Sequence, residues 1–196
     1  MKSQNKGLMR RICVLTGIAL VVVALVLFAF WQCGLTSSQQ QAENYVNTIK
    51  ALIPEPVGTL PEGRKNNTMP TLSIDGIDFV GVLEIPRYES SLPVCADWGD
   101  ISKYPCHFSG SVYDRTLQIG ATSQRGQYDF YREMSVGDTV FFTDMEGNRY
   151  TYSVTNIRHE DNADQTALKR EDSALTLFVK NTYGFDYIII YCNVAS

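Results

Sequence analysis

From Ile12 to Leu35 the chain carries no charged residue, and this run limits what the remainder can be. It supplies about 20 predominantly apolar positions, which at about 1.5 Å of helical rise per residue match a hydrocarbon core of about 30 Å. Lys2, Lys6, Arg10 and Arg11 precede the run, and Trp31 lies near its far end. Basic residues stay on the cytoplasmic side and aromatic rings favour the interface, so the pattern predicts a cytoplasmic tail over 1–11, a single membrane-spanning helix over 12–35, and an extracellular remainder. A cleaved signal peptide fits less well, because the run exceeds the usual apolar region and no small-x-small site follows it closely. Cys33 does not complete a lipoprotein signal, since Trp31 and Gln32 stand where small residues would be expected.

Charge divides at the same place. Of the 17 Lys and Arg, 13 follow Leu35, as do all 21 Asp and Glu, which leaves the outer part with a formal charge of −8. That balance opposes nucleic acid and anionic lipid as its partners.

Residues 36–71 read as a helix and a linker. Ala42, Tyr45, Val46, Ile49, Leu52 and Ile53 recur at intervals of three and four, predicting one apolar helical face from about Ser38 to Ile53. The stretch "PEPVGTLPEGRKNNTMP" then holds four of the seven prolines without any apolar period, as a linker would. From residue 72 to 196 short β-type runs follow one another: about Phe79–Ile85, Leu92–Cys95, Leu117–Thr122, Thr139–Thr143, Arg149–Ile157, Leu175–Val179 and Tyr187–Cys192. In "VGDTVFFTDMEGNRYTYSV", Asp144–Asn148 reads as a hairpin connection, and Tyr150, Tyr152 and Val154 alternate with Thr151, Ser153 and Thr155. Many short strands without a strand–helix–strand rhythm predict an all-β barrel or sandwich with few short helices.

The blocks "GVLEIPRYESSLPV", "PCHFSGSVYDRTLQIGA", "VGDTVFFTDMEGNRYTYSV" and "LTLFVKNTYG", in this order and spacing, resemble a sortase catalytic domain over about residues 72–192. Sortases are cysteine transpeptidases that attach surface proteins to Gram-positive cell walls. The resemblance implies a closed barrel of about eight strands and, as partners, a sorting-signal peptide or another sortase or surface protein. It implies no cofactor. In the family a histidine follows the strand that aligns with "LQIGATS", the nucleophilic cysteine ends a Thr-Leu-x-Thr-Cys strand, and an arginine begins the next strand. The aligned residues here are Thr122, Lys180 and Tyr187.

All three depart from the pattern, and the chemistry depends on what was lost. A thiolate attacks the scissile carbonyl, an imidazolium protonates the leaving amine, and a guanidinium supports the developing oxyanion. Lys180 is an ammonium at neutral pH unless strongly desolvated, and its acyl product would be an amide that ends turnover. Thr122 is no acid near pH 7, and Tyr187 brings no positive charge. The resemblance therefore implies a non-catalytic homologue whose binding groove holds Thr122, Lys180 and Tyr187. The alternatives are an active transpeptidase or hydrolase with another nucleophile, and a structural cell-envelope protein.

Other chemical signals are weak. Cys106 and His107 are adjacent, and neighbours on a strand point to opposite faces. His159 begins "HEDNAD", which lacks the second histidine of a zinc-protease helix. Asp161, Asp164, Glu171 and Asp172 precede the "TLF" strand where some sortases hold Ca²⁺, but acids spaced along a loop are ordinarily a solvated surface, so no metal is expected. Cys95, Cys106 and Cys192 lie in the outer part. They allow either a Cys95–Cys106 disulfide or three buried free thiols.

Overall fold

A computed structural model describes residues 2–54, 68–123, 127, 129–161, 173–180 and 186–195, with helix side chains described over 14–28 and 39–52. The expected linker over 55–67, and Asp164, Glu171 and Asp172 of the acidic loop, lie outside the described residues. The chain divides into two compact units, Met1–Ser38 and Gln39–Ser196.

The helical element α1 (Lys2–Leu52) contains both stretches expected to be helical. In the first unit every described side chain from 14 to 28 is exposed, with Leu20 at 70% and Leu15 at 65%. Among the described residues no helix is long and apolar enough to cross a membrane.

The second unit is built on nine strands: β1 (Leu72–Ile74), β2 (Ile77–Ile85), β3 (Ser90–Cys95), β4 (Cys106–Ser109), β5 (Leu117–Thr122), β6 (Thr139–Asp144), β7 (Arg149–Glu160), β8 (Leu175–Lys180) and β9 (Tyr187–Val194). Their order is β1-β2-β3-β4-β5-β8-β9-β7-β6, and β2 pairs again with β6, so eight strands close into a barrel with β1 added beside β2. Three short 3₁₀ turns (Pro86–Tyr88, Trp98–Asp100 and Asp129–Arg132) are its short helices. All seven expected strands are present. β1 and β4 were not expected, because three and four residues carry too little alternation to read.

Period-two alternation sorts residues between the inside and outside of the barrel. Leu83, Ile85, Leu92, Val94, Ile119, Phe142, Tyr152, Leu177 and Ile190 fill the interior, each 5% exposed or less. A second apolar cluster lies outside the barrel, where Phe79, Val82, Cys95, Tyr104 and Cys106 meet Ala42, Val46 and Ile49 of α1. The helical face expected from the sequence is thus buried on the sheet, except for Leu52, which is 61% exposed. Burying a Val or Ile side chain contributes about 1.5–3 kcal/mol. Glu84 on β2 receives Lys50 Nζ at 2.6 Å and Arg149 Nη2 at 3.1 Å, joining helix, β2 and β7.

Two buried carboxylates organise the connections. Asp144, fully buried, accepts from the N–H groups of Glu146 and Asn148, each at 2.9 Å, and from the Tyr150 hydroxyl at 3.2 Å, which fixes the β6–β7 hairpin. Asp138 accepts from Arg87 Nη1 at 2.6 Å, the Ser135 N–H at 2.9 Å and the Tyr88 hydroxyl at 3.2 Å. Burial opposes ionisation there, but the hydrogen bonds from Arg87 and Ser135 and the charge of Arg87 outweigh it, so Asp138 sits below the ordinary carboxylate range.

A carboxyl group whose folded value is depressed stabilises the fold above its unfolded value, and that contribution is lost as pH falls through the folded one. Asp138→Asn is therefore expected to lower the denaturant midpoint at pH 7 and to flatten the loss of stability below about pH 4. A titration of midpoint against pH that matches wild type on the acid side would contradict this.

Candidate functional site

Strand register sets the site. β5 runs parallel to β8 with Thr122 opposite Lys180, and β8 runs antiparallel to β9 with Lys180 opposite Tyr187. Thr122, Lys180 and Tyr187 thus form one cross-strand row at the ends of three adjacent strands. Ala121, Val179 and Ile188 beside them belong to the barrel interior, so alternation turns the row outward. Lys180 is exposed, and Thr122 and Tyr187 are half-buried. On β7, Glu160 continues the row opposite Tyr187.

The end of β5 is held in place by its neighbours. The Thr122 N–H donates to Gln127 Oε1 at 2.9 Å, and the Ser123 N–H donates to the Lys180 carbonyl at 3.2 Å. Gln127 Nε2 reaches the Ile101 carbonyl at 3.4 Å, tying this end to the loop between β3 and β4. The Thr122 hydroxyl oxygen is buried and has no hydrogen-bond partner among the described residues.

One row back on the same outer face, Gly120 faces Phe178 and Phe178 faces Ile189. Here the loop between β3 and β4 folds in. The Trp98 ring lies 5.0 Å from Phe108 and 5.7 Å from Phe178, and Phe108 lies 5.3 Å from Phe178. A Cβ on residue 120 would approach the Trp98 ring to 2.5 Å and the Phe178 ring to 2.6 Å. Glycine thus leaves the space that Trp98 uses. Phe178 is buried, whereas Trp98 and Phe108 are 39% and 37% exposed, so an aromatic surface borders the row that ends in an exposed ammonium. Reading the strands alone missed Trp98 and Phe108. The glycine inside "LQIGAT" was the available signal, because a strand glycine often marks close approach of another group.

This arrangement offers one cation, hydroxyl groups and aromatic faces. Among the described residues it brings neither a thiol nor an imidazole to the row. Cys106 is fully buried beneath α1, while His107 turns its Nε2 to the Gly110 carbonyl at 2.8 Å, so the adjacent pair points apart. His159 is exposed on β7 opposite Ile188. No group of metal-ligating side chains occurs among the described residues. A cleft of about 460 Å³ lies elsewhere, between Tyr88, Ser91, Phe130, Glu89, Glu133 and the first turns of the packed helix. Among the described residues Gln127 joins it to the row, by lining the cleft while accepting from the Thr122 N–H.

No protein-family profile and no curated protein matches the chain. Solved structures do. Sortase A from Corynebacterium diphtheriae superposes with a TM-score of 0.53 at 15% identity, covering 83% of this chain and 84% of that one. Sortase C1 from Streptococcus agalactiae gives 0.52 at 19% identity, covering 63% and 71%. Sortase C1 from Streptococcus suis gives 0.51 at 17%, covering 60% and 73%. The fold is therefore the sortase fold, a likeness of architecture at low identity.

Gly120→Ala is expected to expel the Trp98 ring, because its new methyl group would occupy that space. In a Trp31→Phe background, Trp98 emission should shift to the red and gain accessibility to a soluble quencher, while far-ultraviolet circular dichroism stays unchanged. Emission and quenching identical to the parent would refute this placement of Trp98.

Proposed function

We propose that the chain is a membrane-anchored sortase-family protein that keeps the barrel as a binding scaffold, does not carry out transpeptidation, and binds cell-wall sorting-signal peptides or a partner sortase at the cell surface. One observation carries the reading: Thr122, Lys180 and Tyr187, which the sequence resemblance sets against the family's His, Cys and Arg, form one outward-facing row. The four sequence blocks and the shared fold support the family assignment. Residues 12–35 serve as the anchor, supported by the basic tail before them and the exposed aliphatic surface over 14–28.

The chemistry follows from the row. A peptide carbonyl beside Lys180 meets an ammonium where the family has a thiolate, so no acyl-enzyme forms and no leaving amine departs. The ammonium instead attracts carbonyl and carboxylate oxygens, and Tyr187 adds a hydroxyl donor. An oxyanion would lack the guanidinium, and Thr122 has no proton to give near pH 7.

The test uses the full chain extracted from membranes with detergent, and its recovery in the soluble fraction without detergent would count against the anchor. Incubated with a sorting-signal peptide and a nucleophilic amine, wild type should show no cleavage by mass spectrometry. Lys180→Cys alone should also be inactive, because acid and cation remain absent. Combining Thr122→His, Lys180→Cys and Tyr187→Arg supplies all three groups, and thiol-dependent cleavage by that variant would show that the groove still accepts peptide. Cleavage by wild type that survives Lys180→Ala would overturn the non-catalytic reading and point to another nucleophile.

A further inference from the structure

The seam between β3 and β4 is the least extensive pairing in the barrel. Its register consists of one pair, Cys95 opposite Cys106, whereas β5 and β8 share six. The two cysteines sit side by side on parallel strands and turn to the same outer face, where both are fully buried in the cluster beneath α1. Neighbouring strands lie about 4.8 Å apart, within the Cα separation of about 4.4–6.8 Å that a disulfide spans. The Cys95 N–H donates to the Pro105 carbonyl at 2.9 Å and Cys106 Sγ to the Tyr104 carbonyl at 3.4 Å, so the backbone at the seam is already fixed. The Cys106 thiol beside it, and then burial, push the Cys95 thiol far above its ordinary range. In the structure Cys95, Cys106 and Cys192 are all free thiols. Cys192 lies inside the barrel, on the other side of the sheet from this pair.

We propose that Cys95 and Cys106 are a disulfide-forming site that staples β3 to β4 at the base of the loop carrying Trp98. The oxidant is a small-molecule or protein disulfide. One cysteine thiolate attacks it and releases the first reagent thiol. The second cysteine thiolate then attacks the mixed disulfide, forming the Cys95–Cys106 bond and releasing the second thiol, so that two electrons pass to the reagent. Residues 39–52 cover the pair in the folded chain, so exchange takes place while the chain folds, before that cover is in place. Once covered, the bond is shielded from reductants. The ring closes around Ala96–Pro105, a short loop for which chain entropy predicts about a 100-fold gain in the folding equilibrium. This inference does not rest on peptide binding, since the pair lies under α1 and not in the row.

The full chain, denatured and reduced, is refolded in detergent across a series of reduced and oxidised glutathione ratios, then denatured, alkylated and mapped by mass spectrometry. Peptides carrying Cys95 and Cys106 should be recovered linked to one another, with Cys192 alkylated. Equilibrium denaturant unfolding with a strong reductant present throughout, so that the unfolded chain is reduced, should show a folding equilibrium about 100-fold lower than without it, and a Cys95→Ala, Cys106→Ala variant should show no such response. Full alkylation of both residues at every ratio, separate glutathione adducts on each, or linkage of either to Cys192 would overturn the proposal. If the double variant does not fold, the map of the wild-type linkage still decides.

Discussion

Pairing of β2 with β6 is the contact on which the remaining architecture depends. With Gly81–Glu84 bonded to Asp144–Phe141, the sheet has no free edge along its closed part, and inside and outside become distinct environments. Alternation then assigns every strand residue to one or the other. Gly81 permits the close approach, since a Cβ there would lie 2.3 Å from the Phe142 ring and 2.6 Å from the Thr143 carbonyl oxygen. Closure also fixes the strand order, so that β8 is held between β5 and β9. The ends of those three strands carry the candidate site.

The same frame separates the position of the row from its chemistry. The row at Thr122, Lys180 and Tyr187 is positioned by backbone ladders whose inward side chains, among them Ile119, Leu177 and Ile190, hold the strands together. Outward residues at the strand ends contribute little to that interior. The exposed side chain at position 180 can therefore vary without disturbing the core while changing what the surface can do. Trp98 narrows the surface further by lying over Gly120, leaving a cation at one end and aromatic faces behind it.

Much of this was legible in the residues, for reasons that differ between elements. The β6–β7 hairpin declared itself because Tyr150, Tyr152 and Val154 are buried while Thr151 and Thr155 face solvent, and because Gly147 takes the positive φ of 82° its turn requires. The helical face from Ala42 to Ile53 read correctly in direction, but not where Leu52 is left exposed, since only the outline of the sheet decides that. β4 was missed because "CHFS" owes its strand conformation to partners on β3 and β5 and to an irregular register between His107 and Ser109. The motif blocks singled out Thr122, Lys180 and Tyr187, and strand register sets these three in one row. Trp98 and Phe108 come from a loop and a short strand whose placement depends on tertiary packing, and only Gly120 hinted at them.

The proposed function makes this row the edge of a peptide-binding groove. The most direct measurement is a titration of sorting-signal peptides into the isotopically labelled full chain in detergent micelles, following backbone amide shifts. Saturable shifts centred on Thr122, Lys180 and Tyr187, weakened by Lys180→Glu, are the predicted result. Saturable shifts confined to another face of the barrel, or none at any peptide concentration, would contradict it.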